Sequence, residues 1–191
     1  MPRVTTAFAA ALALFMPLGR PLLIGLTPAV GIGAALLSTR AAFAQSAQDW
    51  FDSGVAKMDR GDWQGAIADF TKVIEIYPQD ADAYLNRGLA KRKSKDDKGA
   101  IADYTKAIEI NPHDADAYYN RGNAKDDLKD HKGAINDYTK AIEIDPDDAD
   151  FYTNRGIALE IIGNLKDACR DWKKAVDLGN TRPIEWVRKQ C

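Results

Sequence analysis

The sequence has few of the residues on which catalysis and metal binding most often depend. In 191 residues there are two cysteines, two histidines and three methionines. His113 and His131 have no cysteine or second histidine at ligand spacing, and no Ser-His-Asp set or glycine-rich phosphate loop stands out. The many carboxylates are spread along the chain instead of being isolated among apolar residues. We therefore expect no catalytic residues, no metal and no cofactor.

Charged residues are also scarce at the start of the chain. The first 44 residues contain no acidic residue and three basic ones, Arg3, Arg20 and Arg40. A basic start, an apolar region and the run Ala42-Phe43-Ala44 before Gln45 are typical of a secretory signal peptide, predicted here as residues 1–44. An uncleaved membrane anchor is the alternative, although Pro21 and Pro28 weaken it as a stable membrane helix. We expect an exported protein, periplasmic or secreted, without stable membrane insertion after cleavage.

The remainder of the chain is acidic. Without those three arginines, 23 of the 26 basic residues remain against 28 acidic ones, a net charge of −5. Such a balance argues against nucleic acid as a partner.

That remainder is an array with a period of 34 residues. The run Ala115–Pro146 recurs almost letter for letter at Ala81–Pro112, continues in part from Ala149, and has a fainter copy from Ala47. The residues that keep the register are Gly54, Gly88, Gly122 and Gly156, then Ala66, Ala100, Ala134 and Ala168, then Phe70, Tyr104, Tyr138 and Trp172, and finally Pro78, Pro112 and Pro146. Within a copy, apolar residues at helical spacing predict two antiparallel helices that are closest at the glycine and the alanine.

This 34-residue helix-turn-helix pattern, with an aromatic, a glycine, an alanine, a second aromatic and a final proline, resembles the tetratricopeptide repeat (TPR) family. The resemblance implies an all-α, right-handed superhelical solenoid of four repeats plus a C-terminal capping helix. The repeats are placed at residues 47–80, 81–114, 115–148 and 149–182, and the cap at 183–191.

Two columns depart from the family pattern, and both departures are charged. Three places after the glycine, where the family usually has an aromatic, this chain has Lys91 and Lys125. Where the family usually has leucine before the glycine, this chain has arginine, and aspartate recurs on the second helix at a matching level. Since a partly buried charge persists only when it is paired, we predict three structural ion pairs. These are Arg87 with Asp103, Arg121 with Asp137 and Arg155 with Asp171.

The end of the chain carries both cysteines. If the final helix folds back at about residue 180, Cys169 and Cys191 lie equally far from the turn and at the same height on adjacent helices. In an exported protein this favours a disulfide. Two unpaired thiols, with Cys169 taking the place of a buried isoleucine of the other repeats, are the alternative.

The differences between the second and third copies form a stripe. The copies agree at 25 of 34 positions. Among the differences, Leu85, Leu89, Arg92 and Lys93 become Tyr119, Asn123, Asp126 and Asp127, which follow one face of the first helix. In the TPR family this stripe lines the concave groove, and the reversed charges would suit a partner with the opposite order of charges. Free drift of a solvent-facing stripe is the alternative.

Beside the stripe, Asn86, Asn120 and Asn154 repeat in one column. A carboxamide both donates and accepts, so a column of them suits the backbone of an extended peptide, and it resembles the asparagine ladder of the TPR superhelix of O-linked GlcNAc transferase. The alternative is a hydrogen bond within each asparagine's own helical turn. The carboxylate clamp of the chaperone adaptors is rejected, because Asp116 and Asp150 would repel a C-terminal carboxylate.

From these features we predict a non-catalytic module that binds a protein or peptide segment in the concave groove. Two alternatives stay open. One is a self-associating structural or scaffold protein of the cell envelope, a homo-oligomer stacked through Trp50 and Phe51. The other is a small-molecule or enzyme-accessory protein.

Overall fold

The structure is a computed structural model that describes residues 31–191, with side chains from residue 45 onward. The regular secondary structure of this part consists of nine helices. They are α1 (Gly31–Asp59), α2 (Trp63–Ile76), α3 (Ala81–Lys93), α4 (Asp97–Ile110), α5 (Ala115–Asp127), α6 (His131–Ile144), α7 (Ala149–Ile161), α8 (Leu165–Asp177) and α9 (Ile184–Gln190).

Aspartate defines the start of most of these helices. The side chain of Asp96, for example, accepts a hydrogen bond from the backbone N–H of Gly99 at 2.9 Å. An N-cap of this kind stabilises a helix by about 1 kcal/mol. The same bond is made by Asp62, Asp80, Asp114 and Asp130 to the residue three places on. A residue in the left-handed region turns the chain between the first and second helix of a repeat, namely Gly61, Lys95, Lys129 and Gly163.

The two helices of a repeat meet where an aromatic ring lies against a glycine. A Cβ on Gly88 would lie 2.6 Å from the ring of Tyr104, and one on Gly122 would lie 2.7 Å from Tyr138. The rings of Tyr104 and Tyr138 are consequently almost fully buried, 0% and 1% exposed. Because only glycine leaves room for these rings, the glycine column fixes the distance between paired helices.

Contacts between repeats differ on the two sides of the array. Each second helix packs against the first helix of the following repeat. The first helices also touch one another, α1 with α3, α3 with α5 and α5 with α7, whereas within the described part the second helices of successive repeats do not. First helices that are closer together than second helices curve the array and put the first helices on its inner, concave side. The expected all-α superhelical solenoid of four helix-turn-helix repeats plus a capping helix is thereby confirmed.

The capping helix α9 covers the last repeat. Its Trp186 lies against Trp172 of α8, with ring centroids 5.3 Å apart, and Val187 packs on the same cluster. A disulfide joins Cys169 of α8 to Cys191, whose Cα atoms are 5.6 Å apart. The apolar end of the array is therefore covered by a helix that is also covalently attached.

At the other end, residues 1–30 of the predicted signal peptide lie outside the described residues. The backbone of residues 31–44 belongs to α1, so this helix is already formed before residue 47, the predicted start of the first repeat. Alanine and leucine are frequent in residues 31–44 and no proline interrupts them, so the helix extends backwards. No helix in residues 31–191 combines the length and apolar character needed to cross a membrane.

Candidate functional site

The predicted arginine–aspartate pairs are confirmed, and they are structural. In the third repeat, Arg121 donates from Nε and Nη2 to the two carboxylate oxygens of Asp137 at 2.9 and 2.8 Å. Its Nη1 donates to Thr105 of the preceding repeat at 3.2 Å. Asp137 is only 4% exposed. One guanidinium therefore neutralises a buried carboxylate and links three helices. The equivalent pairs are Arg87 with Asp103 and Arg155 with Asp171, each with a threonine of the preceding repeat.

The apolar members of the stripe lie on the first helices and are partly buried. Leu85 and Leu89 pack against the cluster of Ala100, Tyr104 and Ala124. Both leucines thus contribute to the contact with the next repeat while part of each side chain remains accessible. Tyr119 has a similar position in the third repeat, where it packs against the cluster that contains Tyr138.

The reversed charges of the stripe meet each other across the repeats. Arg92 donates from Nε and Nη2 to Oδ2 of Asp127 at 3.0 and 2.9 Å. Asp126 instead contacts Nδ1 of His131 at 2.5 Å. His131 is thus partly covered, with 18% of its side chain exposed. Lys93 is exposed. Part of the charge contrast predicted for a partner is therefore satisfied inside the chain.

The asparagine column divides into two classes. Asn86 and Asn120 donate from Nδ2 to the carbonyl oxygens of Asp82 and Asp116 in their own helices, both at 2.8 Å. This is the own-turn alternative of the sequence analysis, but it uses only one of the two amide hydrogens. Within the described residues their Oδ1 atoms have no hydrogen-bond partner, so each amide keeps one donor and its acceptor for another molecule.

Asn154 has a different role, because it links the third and fourth repeats. Its Nδ2 donates to Oη of Tyr119 at 2.8 Å and to Oδ1 of Asn123 at 3.0 Å. The hydroxyl of Tyr138 donates to that same Oδ1 at 2.8 Å. Four side chains of the third and fourth repeats, three of them predicted site residues, therefore form one network.

This network was missed by the sequence reasoning, although a signal for it exists. Where Tyr119 replaces the leucine of the second repeat, Phe151 simultaneously replaces the alanine found at Ala83 and Ala117. The rings of Tyr119 and Phe151 lie 4.9 Å apart, and Phe151 is 2% exposed. Tyr119 and Phe151 lie in adjacent repeats, and both are changes to an aromatic residue. Such a paired change is the sequence signal of a contact between repeats.

The second repeat has no such network. Leu89 stands where Asn123 stands in the third repeat, and the buried hydroxyl of Tyr104 has no partner among the described residues. Burial raises the pKa of both Tyr104 and Tyr138 well above the ordinary value of 10.0. The hydroxyl of Tyr138 is thus hydrogen-bonded, whereas that of Tyr104 has no partner among the described residues.

A concavity of about 390 Å³ lies at the N-terminal ends of α3, α5 and α7. Leu85 and Phe151 line it together with several aspartates, among them Asp82 and Asp116. Burial raises the pKa of Asp116, and the neighbouring Asp114, Asp148 and Asp145 raise it further. Because the groove is acidic at this end, a C-terminal carboxylate would be repelled, in agreement with the rejection of a carboxylate clamp.

Comparison with known families assigns residues 54–170 of the array to one kind of repeat. Two models described as tetratricopeptide repeat match residues 115–148 and 137–170, and a model described as TPR repeat matches residues 54–95 and 88–125. None of the curated proteins matches the sequence.

Several solved structures are similar to this chain. The crystal structure of MamA has a TM-score of 0.68 and 30% sequence identity, over 76% of this chain and 85% of that one. YrrB, described as a TPR protein with an unusual peptide-binding site, has a TM-score of 0.67 and 20% identity over 83% and 89% of the two chains. The first TPR of Spaghetti (RPAP3), bound to the HSP90 peptide SRMEEVD, has a TM-score of 0.61 and 24% identity over 62% and 94%.

Proposed function

The chain belongs to the tetratricopeptide repeat family, and on that premise we propose that it is a non-catalytic protein-interaction module. Its concave groove, formed by the first helices, captures an extended segment of a protein partner. The observation that carries the proposal is the state of Asn86 and Asn120, whose amides each keep one N–H and Oδ1 available beside the stripe. Preformed helices leave the ordering cost of binding to the partner's segment.

We assign different roles to the second repeat and to the third and fourth repeats of the groove. In the second repeat, Leu85 and Leu89 offer partly accessible apolar surface, and Asn86 offers hydrogen bonds to a peptide backbone. In the third and fourth repeats, Tyr119, Asn123 and Asn154 bond to one another and hold the two repeats together. We therefore place the capture of the partner's backbone at Asn86 and Asn120, and assign Asn154 to the support of the groove.

Two of the similar structures favour a peptide as the ligand class. One is described as having an unusual peptide-binding site, and the other holds a peptide that ends in EEVD. The aspartates at the N-terminal ends of α3 and α5 argue against a carboxylate-terminated segment here. An internal, extended segment without an acidic terminus fits these constraints.

Export is part of the same proposal. A disulfide between Cys169 and Cys191 is compatible with an oxidising compartment outside the cytosol. The signal-peptide pattern of residues 1–44 supports the same location.

Self-association through the first repeat is the second candidate. Trp50 and Tyr77 are 40% and 42% exposed, and Tyr77 lies in a shallow concavity with Phe51. The other end of the array is covered by α9, which argues against continuous end-to-end stacking. Molar mass measured over a range of protein concentrations distinguishes a dimer through the first repeat from a monomer.

The test is capture of partners by the purified protein from an envelope extract. Asn86→Ala combined with Asn120→Ala removes both available amides without touching the network of Asn154. Asn136→Ala is the matched control, since Asn136 is an exposed asparagine of a second helix. We expect the double variant to lose the captured proteins and the control to keep them, with unchanged helicity in both. Equal capture by all three proteins would contradict capture through these asparagines.

A further inference from the structure

The buried aspartate of each second helix offers the same oxygen to a lysine in the first three repeats. The Nζ atoms of Lys57, Lys91 and Lys125 lie 2.6, 2.8 and 2.7 Å from Oδ2 of Asp69, Asp103 and Asp137. That Oδ2 atom also accepts a second bond, from Ser53 in the first repeat and from an arginine Nε in the next two. Each of these three carboxylate oxygens is therefore paired with a lysine ammonium and also accepts a hydrogen bond from a second group.

The fourth repeat lacks one of these donors. Leu159 stands at the position of the three lysines, and Oδ2 of Asp171 accepts only from Nε of Arg155, at 2.7 Å, among the described residues. The side chain of Asp171 is nevertheless only 5% exposed, like those of its counterparts. One strong acceptor direction of a buried carboxylate is thus open in the fourth repeat alone.

A concavity opens at this position. It has a volume of about 230 Å³ and lies between α6, α7 and α8. Ile135 and Leu159 provide apolar wall, Asp171 provides the carboxylate, and none of the lining residues belongs to the stripe on the first helices. At its edge Arg170 and Asp167 pair with each other at 2.7 Å, so neither is engaged with Asp171.

We propose that this concavity is a second binding site, which takes a primary alkylammonium group, the side chain of a lysine on a protein partner. The ammonium donates to Oδ2 of Asp171 in the position that the chain's own lysines occupy in the other repeats. The aliphatic stem lies against Ile135 and Leu159, as lysine stems commonly lie on apolar surface. Anions are disfavoured, since Arg155 is already held by both carboxylate oxygens of Asp171.

This site is independent of the groove. None of its lining residues belongs to the stripe or to the asparagine column, and it needs no extended segment, so groove capture and lysine binding can fail separately. It also selects an ammonium rather than a guanidinium, because a single open acceptor direction suits a point charge better than a bidentate fork.

The test uses a small probe on the full chain. N-acetyl-lysine N-methylamide carries the lysine side chain without a free α-amine, and N-acetyl-norleucine N-methylamide carries the same stem without the charge. In a titration followed by ¹H–¹⁵N NMR, the lysine probe should give saturable shifts at Thr139, Leu159 and Asp171. The norleucine probe should bind at least about tenfold more weakly, as expected for loss of one charge-assisted hydrogen bond. Equal shifts with both probes, or none with either, would overturn the proposal.

A matched pair of variants tests the same site from the protein's side. Leu159→Lys supplies the missing lysine in the way the other repeats do and should abolish the shifts, whereas Leu159→Met keeps an apolar residue of similar volume and should leave them. Undiminished binding by Leu159→Lys would place the probe elsewhere. Because the two probes are compared on the parent protein, the proposal remains testable even if a variant folds poorly.

Putrescine, a diamine without a peptide backbone, distinguishes a free polyamine from a lysine side chain as the ligand. Binding of putrescine tenfold tighter than that of the lysine probe would overturn the assignment to lysine.

Discussion

The second and third repeats have the same residue at 25 of 34 positions, yet their first helices are supported differently. In the third repeat Asn123 accepts hydrogen bonds from Tyr138 and Asn154. In the second repeat Leu89 takes that place, and the hydroxyl of Tyr104 is left without a partner among the described residues. Variation along this stripe therefore changes the internal support of the groove as well as its surface.

The arginine–aspartate pairs show the opposite pattern. The pair itself is the same in the second, third and fourth repeats, but the number of cations around the aspartate differs. Asp137 has a lysine in addition to Arg121, whereas Arg155 is the one cation on Asp171 among the described residues. A pair that is identical in geometry thus depends on a single cation in one repeat and on two in another.

Removal of the arginine should therefore affect the fourth repeat more than the third. Arg155→Met leaves Asp171 as a buried carboxylate without a cation, which costs about 3 to 5 kcal/mol. Arg121→Met leaves Lys125 on Asp137 and should cost at least about 1 kcal/mol less. Urea unfolding of the two variants at neutral pH measures both values. Equal losses would show that the lysine does not compensate for the arginine.

Exchange of the residue that faces the tyrosine hydroxyl should have the next largest effect. Asn123→Leu removes the acceptor of Tyr138 and one acceptor of Asn154, and leaving a buried hydroxyl unsatisfied costs about 1 to 3 kcal/mol. The cost should shrink when Tyr138→Phe is already present, since the hydroxyl is then absent. The control is Tyr104→Phe, which removes a hydroxyl without a partner and should be neutral or slightly stabilising. Additive losses for Asn123→Leu and Tyr138→Phe in unfolding experiments would exclude the coupling.

The same two tyrosines predict a loss of stability in alkaline solution. Their pKa values are raised by burial, so the folded state binds a proton that the unfolded state releases near pH 10. The stability that they contribute is complete below pH 10 and falls as the pH rises from there towards their pKa values in the folded protein. Between pH 10 and 11 each should lower the free energy of unfolding by about 1 kcal/mol. Tyr104→Phe and Tyr138→Phe should each flatten the decline between pH 10 and 11.

Much of the fold could be predicted from the sequence because it repeats. A fixed period of 34 residues locates the helices. Because a buried charged residue is stable only when it is paired, the sequence predicted the pair of Arg121 and Asp137 correctly. The helical conformation of residues 31–44 was not predicted, since a signal-peptide pattern separates these residues from the repeats.

The candidate site was less accessible to sequence reasoning. The bonds of Asn154 to Tyr119 and Asn123 join side chains on different first helices, and they depend on side-chain conformations that helical periodicity does not determine. Oδ2 of Asp171 is open because Leu159 stands where the other repeats have lysine. In the sequence this difference resembles ordinary variation, and its effect is visible only when the buried aspartates of the four repeats are compared in three dimensions.

The smallest expected effect concerns the ion pair between Arg92 and Asp127, and here stability and binding should separate. The two side chains are 29% and 51% exposed, so solvent screens their attraction and Arg92→Gln should cost no more than about 0.5 kcal/mol, less in high salt. Yet this variant frees Asp127 and removes one of the two positive charges of the stripe in the second repeat. If the reversed charges select a partner, Arg92→Gln changes the set of captured proteins while unfolding barely changes. If they serve only to hold α3 to α5, unfolding changes and capture does not, and the stripe loses its role in specificity.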